Sequence, residues 1–299
     1  MSIQKYKDNP ILTKDSVPFT VNSIFNPGAI KFNNEILLVC RVEMPSGRSS
    51  FVMARSKDGI KFKVDEKSFL TPEDHGEYYE FVKWGIEDAR INKVDEKYYL
   101  TYTGYSKYTP LVILAETNDF LNFKIHGPIT EPSNKDAAIF PEKINGFYWK
   151  MDRPTGEEKY DIWINKSPDL IHWGSYKALA EKRAGTWEAN KIGGSTPPIK
   201  TDNGWLFLYH GVRKFSNSLY KIGAMLLDLE KPWIEIGRTT GPILQPEFVY
   251  ERVGDVNNTV FTNGWIVEDT GEVTIYYSGS DSNICIATTT VDYLISLCK

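Results

Sequence analysis

The amino-acid sequence predicts an all-β fold, a single five-bladed β-propeller that spans residues 1–299. Three observations support this prediction. Aromatic residues make up 13% of the chain, which favours strands; helical periodicity is weak throughout; and a hairpin of two strands recurs five times. Five repeats leave about 60 residues for each unit, which suffices for a four-stranded propeller blade with long loops.

The five hairpins follow one another along the chain, and each joins two apolar strands through a short polar turn. They occupy residues 29–43, 90–106, 140–154, 197–212 and 265–281. Asn-Gly and Asp-Asn-Gly turns favour hairpins because these residues tolerate positive φ. After each hairpin, an acidic or turn residue precedes an apolar anchor, in residues 54–62, 115–123, 165–173, 226–236 and 287–295. This second pattern predicts the outer hairpin of each blade.

Composition excludes several classes of protein. Lys and Arg number 35 against 39 Asp and Glu, a balance that argues against a dedicated nucleic-acid binder. The three cysteines are too few and too scattered for a disulfide framework or a zinc cluster. No stretch approaches 18 apolar residues, and the first residues lack the apolar segment of a signal peptide. We therefore expect a soluble, cytoplasmic protein that binds neither nucleic acid nor membranes.

Charged residues interrupt several strands that are otherwise apolar, which is costly unless the charges are paired or functional. In chain order they are Arg41, the pair Glu87–Asp88 with Arg90, then Lys150, Asp152, Arg153, Lys191, His210 and Asp281. A salt bridge between blades would explain any single one of them. Because the first strands of all blades converge on one channel, their recurrence in every blade instead predicts a central polar site.

The residue types in this set indicate the chemistry. Two facing carboxylates would suit a glycosidase. Here the set is rich in cations (Arg41, Arg153, Lys191 and the further candidate Lys107), and its clear acids are few: Asp88, Asp136 and Asp281. One acid beside a cation cluster suits transfer of a sugar to phosphate, which arrives ionised and needs no general base. Asp136 is the best second acid, and we interpret it as a ligand of sugar hydroxyls.

Five ordered motifs resemble the β-mannoside phosphorylases of glycoside hydrolase family 130. They are WGIEDARI, DAAIFPEKI, KIGGSTPPIKTDNGWLFLYHGV, YKIGAMLLDLEKP and NGWIVEDTGEVTIYYSGSD, and the similarity runs from about residue 9 to residue 288. The resemblance implies a five-bladed propeller, as the repeats do. It also implies inverting phosphorolysis of β-mannosides to α-D-mannose 1-phosphate, with phosphate as co-substrate. The histidines stand alone and the carboxylates lack the spacing of a calcium loop, so we expect no metal and no cofactor.

The resemblance assigns a role to individual residues. Asp88, in the EDAR motif, is the implied acid and acts through the 3-hydroxyl of the mannosyl unit. The implied phosphate-binding residues are Arg153, Lys191, His210 and Tyr220, and the implied mannose-binding residues are Asn26, Arg41 and Asp281. Asp152 departs from the family, which often has histidine there, and places a carboxylate beside the phosphate arginine. Lys107 stands where many members have an arginine, and His75 is a candidate for the acceptor side.

Several functions stay open on the sequence. Overall similarity favours β-1,2-linked mannobiose or oligomannosides, with a β-1,4-mannosyl or mannosylglucose phosphorylase as the alternative. A β-mannosidase on the same fold would lack the basic residues, and a sugar-binding propeller without turnover would need no Asp88. Trp84, Tyr105 and Trp187 are candidates for stacking on sugar faces. The sequence leaves open whether the chain forms a homo-oligomer.

Overall fold

The chain is nearly all β in the computed structural model, which describes residues 2–156, 160–214 and 218–298. Strands account for 53% of the residues and helices for 9%. The prediction of an all-β fold is confirmed. Among the described residues, no helix combines the length and the apolar character that a bilayer crossing needs.

The strands follow each other with few interruptions. In the described part of the chain they are β1 (Gln4–Lys5), β2 (Ser23–Phe32), β3 (Glu35–Glu43), β4 (Ser49–Ser56), β5 (Lys63–Leu70), β6 (Gly85–Val94), β7 (Lys97–Tyr105), β8 (Leu111–Thr117), β9 (Lys124–Pro128), β10 (Asn134–Ile139), β11 (Tyr148–Pro154), β12 (Ile162–Ser167), β13 (Gly174–Ala180), β14 (Lys191–Gly194), β15 (Ile199–Thr201), β16 (Gly204–Lys214), β17 (Ser218–Leu227), β18 (Glu235–Arg238), β19 (Val260–Val267), β20 (Glu272–Gly279) and β21 (Asn283–Thr290). The helices are α1 (Tyr79–Val82), α2 (Val249–Arg252) and α3 (Val291–Leu297), with 3₁₀ turns at Lys14–Ser16 and Pro72–Tyr78.

The strands group into antiparallel units that succeed one another along the chain. The first two units are β2–β5 and β6–β9, which a parallel bridge between Ser49 and Gly85 joins into one eight-stranded sheet. The third is β10–β13, and the fourth is β14, β16, β17 and β18, with β15 paired to β16. The fifth consists of β19, β20 and β21, and its outer position is taken by β1 from the N-terminal segment. Strand β2 contacts β6 and β19, β10 contacts β6 and β14, and β17 contacts β19. Apolar side chains of neighbouring units pack together, as Val39 does with Ile91.

The predicted tight turns lie where expected. Asn33, Asn34, Asp95 and Asn145 all adopt positive φ between paired segments, because Asn and Asp tolerate the left-handed conformation. In three of the outer patterns, the carboxylates of Asp58, Asp119 and Asp169 accept backbone N–H groups two and three residues further on. The predicted outer hairpin at 287–295 is wrong, since this segment ends β21 and begins helix α3.

A bulge interrupts the first strand of four units at the same place. The pairing register shifts between Phe25 and Gly28, Glu87 and Arg90, Lys135 and Ala138, and Thr262 and Gly264. Asn26, Asp88 and Asp136 lie in these bulges with φ of 45°, 59° and 59°. A bulge re-aims a side chain that would otherwise follow the strand's alternation. These bulges therefore direct polar side chains out of the apolar packing and towards one place.

Candidate active site

One cavity is lined by all nine residues that were predicted from the sequence to act in catalysis or to bind phosphate or mannose. It has a volume of about 180 Å³, and these nine lining residues are Asn26, Arg41, Asp88, Asp136, Arg153, Lys191, His210, Tyr220 and Asp281. They come from all five units, which explains why residues so distant in sequence meet. Their individual roles stay predictions, but their convergence is a property of the fold.

Asp88 lines the cavity and is held through one carboxylate oxygen. The amide nitrogen of Asn26 donates to Asp88 Oδ1 at 2.8 Å, and Arg41 Nη1 lies 3.2 Å from the same atom. Ser278 Oγ donates to Asn26 Oδ1 at 2.5 Å, which fixes the orientation of the amide. Arg41 also contacts Glu87 Oε1 at 2.9 Å. Asp88 is thus oriented by neutral and cationic donors while its side chain still lines the cavity.

Asp136 is engaged by two buried arginines. Arg153 Nε lies 2.6 Å from its Oδ2 and Arg90 Nη2 lies 3.1 Å from its Oδ1. Burial opposes its ionisation, yet the charges of Arg153 and Arg90 hold the pKa of Asp136 well below its usual range. Both carboxylate oxygens are therefore engaged by guanidinium groups. This geometry suits a role for Asp136 in positioning Arg153. The predicted role of Asp136 as a ligand of mannose stays a prediction.

His210 is a neutral donor rather than a cation. It is 1% exposed, and burial lowers its pKa well below the ordinary value despite Asp136, whose Oδ2 lies 3.6 Å from Nε2. Ser195 Oγ lies 3.3 Å from Nδ1, and the ring of Phe261 packs at 4.8 Å between centroids. Near neutral pH this imidazole can donate a hydrogen bond to an anion but contributes no charge.

Lys191 is a partly buried cation that contacts a tyrosine. Its ammonium donates to the Tyr220 hydroxyl at 2.5 Å and lies 4.5 Å from the centroid of that ring. Burial, then the charge of Arg153, lowers the pKa of Lys191 to about 8. Burial also raises the pKa of Tyr220 to about 12, so the phenol stays protonated. No carboxylate of the described residues lies within ion-pair distance of Lys191, so its charge is left for a ligand.

Asp281 presents an unsatisfied carboxylate atom. It lies in the turn between β20 and β21 with φ 51°. Its Oδ1 is buried and has no hydrogen-bond partner among the described residues. Burial raises the pKa of Asp281 to about 7, against the attraction of Arg41. A buried polar atom without a partner is costly, and a sugar hydroxyl in the cavity would satisfy it.

Lys135 is a further cation of this cavity, and it was not predicted from the sequence. Its ammonium contacts Glu87 Oε2 at 2.9 Å and lies 5.4 Å from the centroid of Tyr105. Glu87, noticed only as half of an acidic pair, therefore bridges Lys135 and Arg41. One signal in the sequence marks the bulges beside which Lys135 and Glu87 lie. It is an Asn or Asp three or four residues before an Ile, which recurs at residues 26, 88, 136 and 263.

Other singled-out residues lie outside this cavity. Asp152 points away from Arg153 and pairs with the fully buried Lys150 at 2.5 Å. His75 is buried between the Thr71 carbonyl and the Tyr102 hydroxyl, each 2.9 Å away, which is a structural role. Trp187 packs on Tyr209 and is 8% exposed, so it offers no sugar platform.

A second cavity, of about 460 Å³, adjoins the first. Lys135, Arg153 and Lys191 line both cavities, and Trp84, Tyr105 and Lys107 line the second alone. The described residues include no group of three or more His, Cys, Asp or Glu side chains that could hold a metal ion.

Comparison with known proteins gives consistent matches over the whole chain. The family profile of glycoside hydrolase family 130, described as beta-1,4-mannooligosaccharide phosphorylase, matches residues 2–299. The chain is 34% identical to a beta-1,2-mannobiose phosphorylase of Listeria innocua, with 95% of each protein covered. It is 35% identical to a 1,2-beta-oligomannan phosphorylase of Thermoanaerobacter sp., over 96% of this chain and 97% of the relative. The solved structure of a Listeria innocua beta-1,2-mannobiose phosphorylase with beta-1,2-mannobiose superposes with a TM-score of 0.92 at 33% identity, covering 100% of this chain and 99% of the other.

Proposed function

The chain belongs to glycoside hydrolase family 130, and we propose that it cleaves short β-mannosides with inorganic phosphate. The product is α-D-mannose 1-phosphate, formed with inversion, and the reaction runs in both directions. The enzyme is accordingly a phosphorylase of the glycosyltransferase type. Phosphate is its co-substrate, and the reaction requires no cofactor.

The observation that carries this proposal is the uncompensated charge of Lys191. A partly buried cation without a carboxylate partner is unfavourable, and an anionic ligand reduces that cost. Arg153, Lys135, His210 and Tyr220 surround it and add charge or hydrogen-bond donors. Phosphate offers several acceptor oxygens to such a set. A hydrolase of the same linkage would have no use for this cluster.

Different residues of the cavity bind the mannosyl unit and take part in its transfer to phosphate. Asn26, Arg41 and Asp281 bind the mannosyl unit, and Asp281 Oδ1 is the atom that awaits a hydroxyl. The phosphate oxygen attacks the anomeric carbon as the glycosidic bond breaks. Asp88 supplies the proton that the leaving oxygen takes up, through the 3-hydroxyl of the mannosyl unit. Asp136 holds Arg153 in place and is not a second catalytic carboxylate, because both its oxygens are engaged.

We propose β-1,2-linked mannobiose or oligomannosides as the substrates. Relatives named for β-1,2-linked substrates cover nearly the whole chain at 34% and 35% identity. A beta-1,4-mannooligosaccharide phosphorylase of Ruminococcus albus is 33% identical over 99% of this chain and 91% of the relative, so β-1,4-linked mannosides are the alternative. Incubation with β-1,2- and β-1,4-mannobiose and phosphate, followed by assay of mannose 1-phosphate, decides between them. Faster phosphorolysis of the β-1,4-linked sugar would contradict the proposed linkage.

We also propose that the five units close into a five-bladed propeller that forms a single domain. The contacts of β2 with β6 and β19 support a ring, as does the pairing of β1 with β21, since it joins the two ends of the chain. A cytoplasmic location suits the three cysteines, which are buried and form no disulfide.

A further inference from the structure

The second cavity differs from the first in the sign of its lining charges. Glu87, Asp88, Asp136 and Asp281 line the first cavity together with its cations. The second cavity is lined by four cations, Lys107, Lys135, Arg153 and Lys191, and by no carboxylate of the described residues. A cleft lined by one sign of charge raises the local concentration of the opposite ion. The second cavity therefore favours an anion.

Aromatic rings at this cavity hold its lysines in place. Lys135 Nζ lies 5.4 Å from the centroid of Tyr105, and Lys107 Nζ lies 4.9 Å from the centroid of Tyr108. A cation–π contact orients the ammonium group of Lys107 without neutralising it, whereas Lys135 is also paired with Glu87. The face of Tyr105 is thus already occupied by Lys135, which weakens the expectation that it stacks on a sugar.

The stereochemistry of the proposed reaction requires two approaches to the anomeric carbon. In an inverting displacement, the nucleophile and the leaving group lie on opposite faces of the sugar ring. The second cavity borders the first at Lys135, Arg153 and Lys191, on the side of the second, third and fourth units. The second cavity therefore reaches the first at cations of the proposed phosphate site.

We infer that the second cavity is the entrance for phosphate, with Lys107 as its outermost guiding cation. This inference rests on the proposed function, because phosphate is the anion that the reaction consumes. Lys107 is exposed and touches neither reactant in the site. It acts by attracting phosphate towards Lys135, Arg153 and Lys191, so it changes the capture of phosphate and not the chemical step.

The test is a set of steady-state measurements on Lys107→Glu, Lys107→Arg and Lys143→Glu at low and at physiological ionic strength. Lys143 is the matched control, since it is exposed, lies 4.6 Å from the centroid of Tyr148 and lines neither cavity. For Lys107→Glu we expect the KM for phosphate to rise about tenfold at low salt and about twofold at 0.15 M salt. The kcat and the KM for mannoside should stay unchanged, and the other two variants should match the wild type.

Two outcomes would contradict the proposal that the second cavity is the entrance for phosphate. In the first, Lys107→Glu and Lys143→Glu have the same KM for phosphate; in the second, Lys107→Glu shifts the KM for mannoside as much as that for phosphate. Failure of the proposed function itself would give a different result: the wild type would then form no mannose 1-phosphate from any mannoside tested.

Discussion

Arg153 Nε lies 2.6 Å from Asp136 Oδ2, and this buried pair fixes the position of the guanidinium that faces Lys191. Arg90 occupies the other oxygen of the same carboxylate. One negative charge is therefore shared between two buried arginines. The cation cluster keeps a net positive charge, which is the electrostatic condition for binding an anion in a partly desolvated cavity.

Replacement of the proposed acid should abolish most turnover without unfolding the protein. Asp88→Asn keeps the shape of the side chain but cannot deliver a proton, and general acid catalysis contributes about 10²–10⁴-fold. We expect kcat to fall by that factor and the melting temperature to change little. Asp95→Asn is the matched control, since Asp95 has a φ of 53°, similar to the 59° of Asp88, but lies in a surface turn. More than about a tenth of the wild-type rate in Asp88→Asn would exclude it as the acid.

Loss of the Lys191 ammonium should weaken phosphate binding selectively. A hydrogen bond to a charged group contributes about 1.5–3 kcal/mol, a factor of about 10 to 150. Lys191→Ala should therefore raise the KM for phosphate by that factor and leave the KM for mannoside nearly unchanged. Lys200→Ala, which removes an exposed lysine paired with Glu142, serves as the control. A lower melting temperature with equal increases in both KM values would instead indicate a structural role.

Asp136→Asn should destabilise the fold in a manner that depends on pH. Removing one partner of a buried ion pair typically costs about 3–5 kcal/mol. The folded pKa of Asp136 lies far below the unfolded value of about 3.9. Its stabilisation is therefore complete above about pH 4 and is lost as the pH falls through the folded pKa. Urea unfolding of wild type and variant should show a gap in unfolding free energy at pH 7 that narrows below pH 4. A gap that is independent of pH would refute the charged role of Asp136.

Local features of the sequence were sufficient to predict much of the fold. The turns at Asn33, Asp95 and Asn145 depend on the conformational preference of single residues, and they were predicted correctly. The segment 287–295 was not, because its place as an outer strand is taken by β1, some 280 residues earlier in the chain. Such long-range pairing leaves no periodicity in either segment.

In the candidate site, too, local features could be predicted from the sequence and long-range contacts could not. Residue type and resemblance identified all nine cavity residues that were named, yet the pairing of Glu87 with Arg41 and Lys135 joins three units and has no local signature. Asp152 illustrates the opposite case. Adjacency in sequence suggested a contact with Arg153, but alternation along β11 sends the two side chains to opposite faces.

The most direct test of the central claim is to run the cleavage of β-1,2-mannobiose with phosphate in oxygen-18 water and to analyse the products by mass spectrometry. If phosphate is the nucleophile, mannose 1-phosphate forms without the heavy isotope, and the reaction stops when phosphate is omitted. Release of two molecules of mannose from each mannobiose without mannose 1-phosphate, at a rate independent of phosphate, would show that water is the nucleophile and would contradict the account.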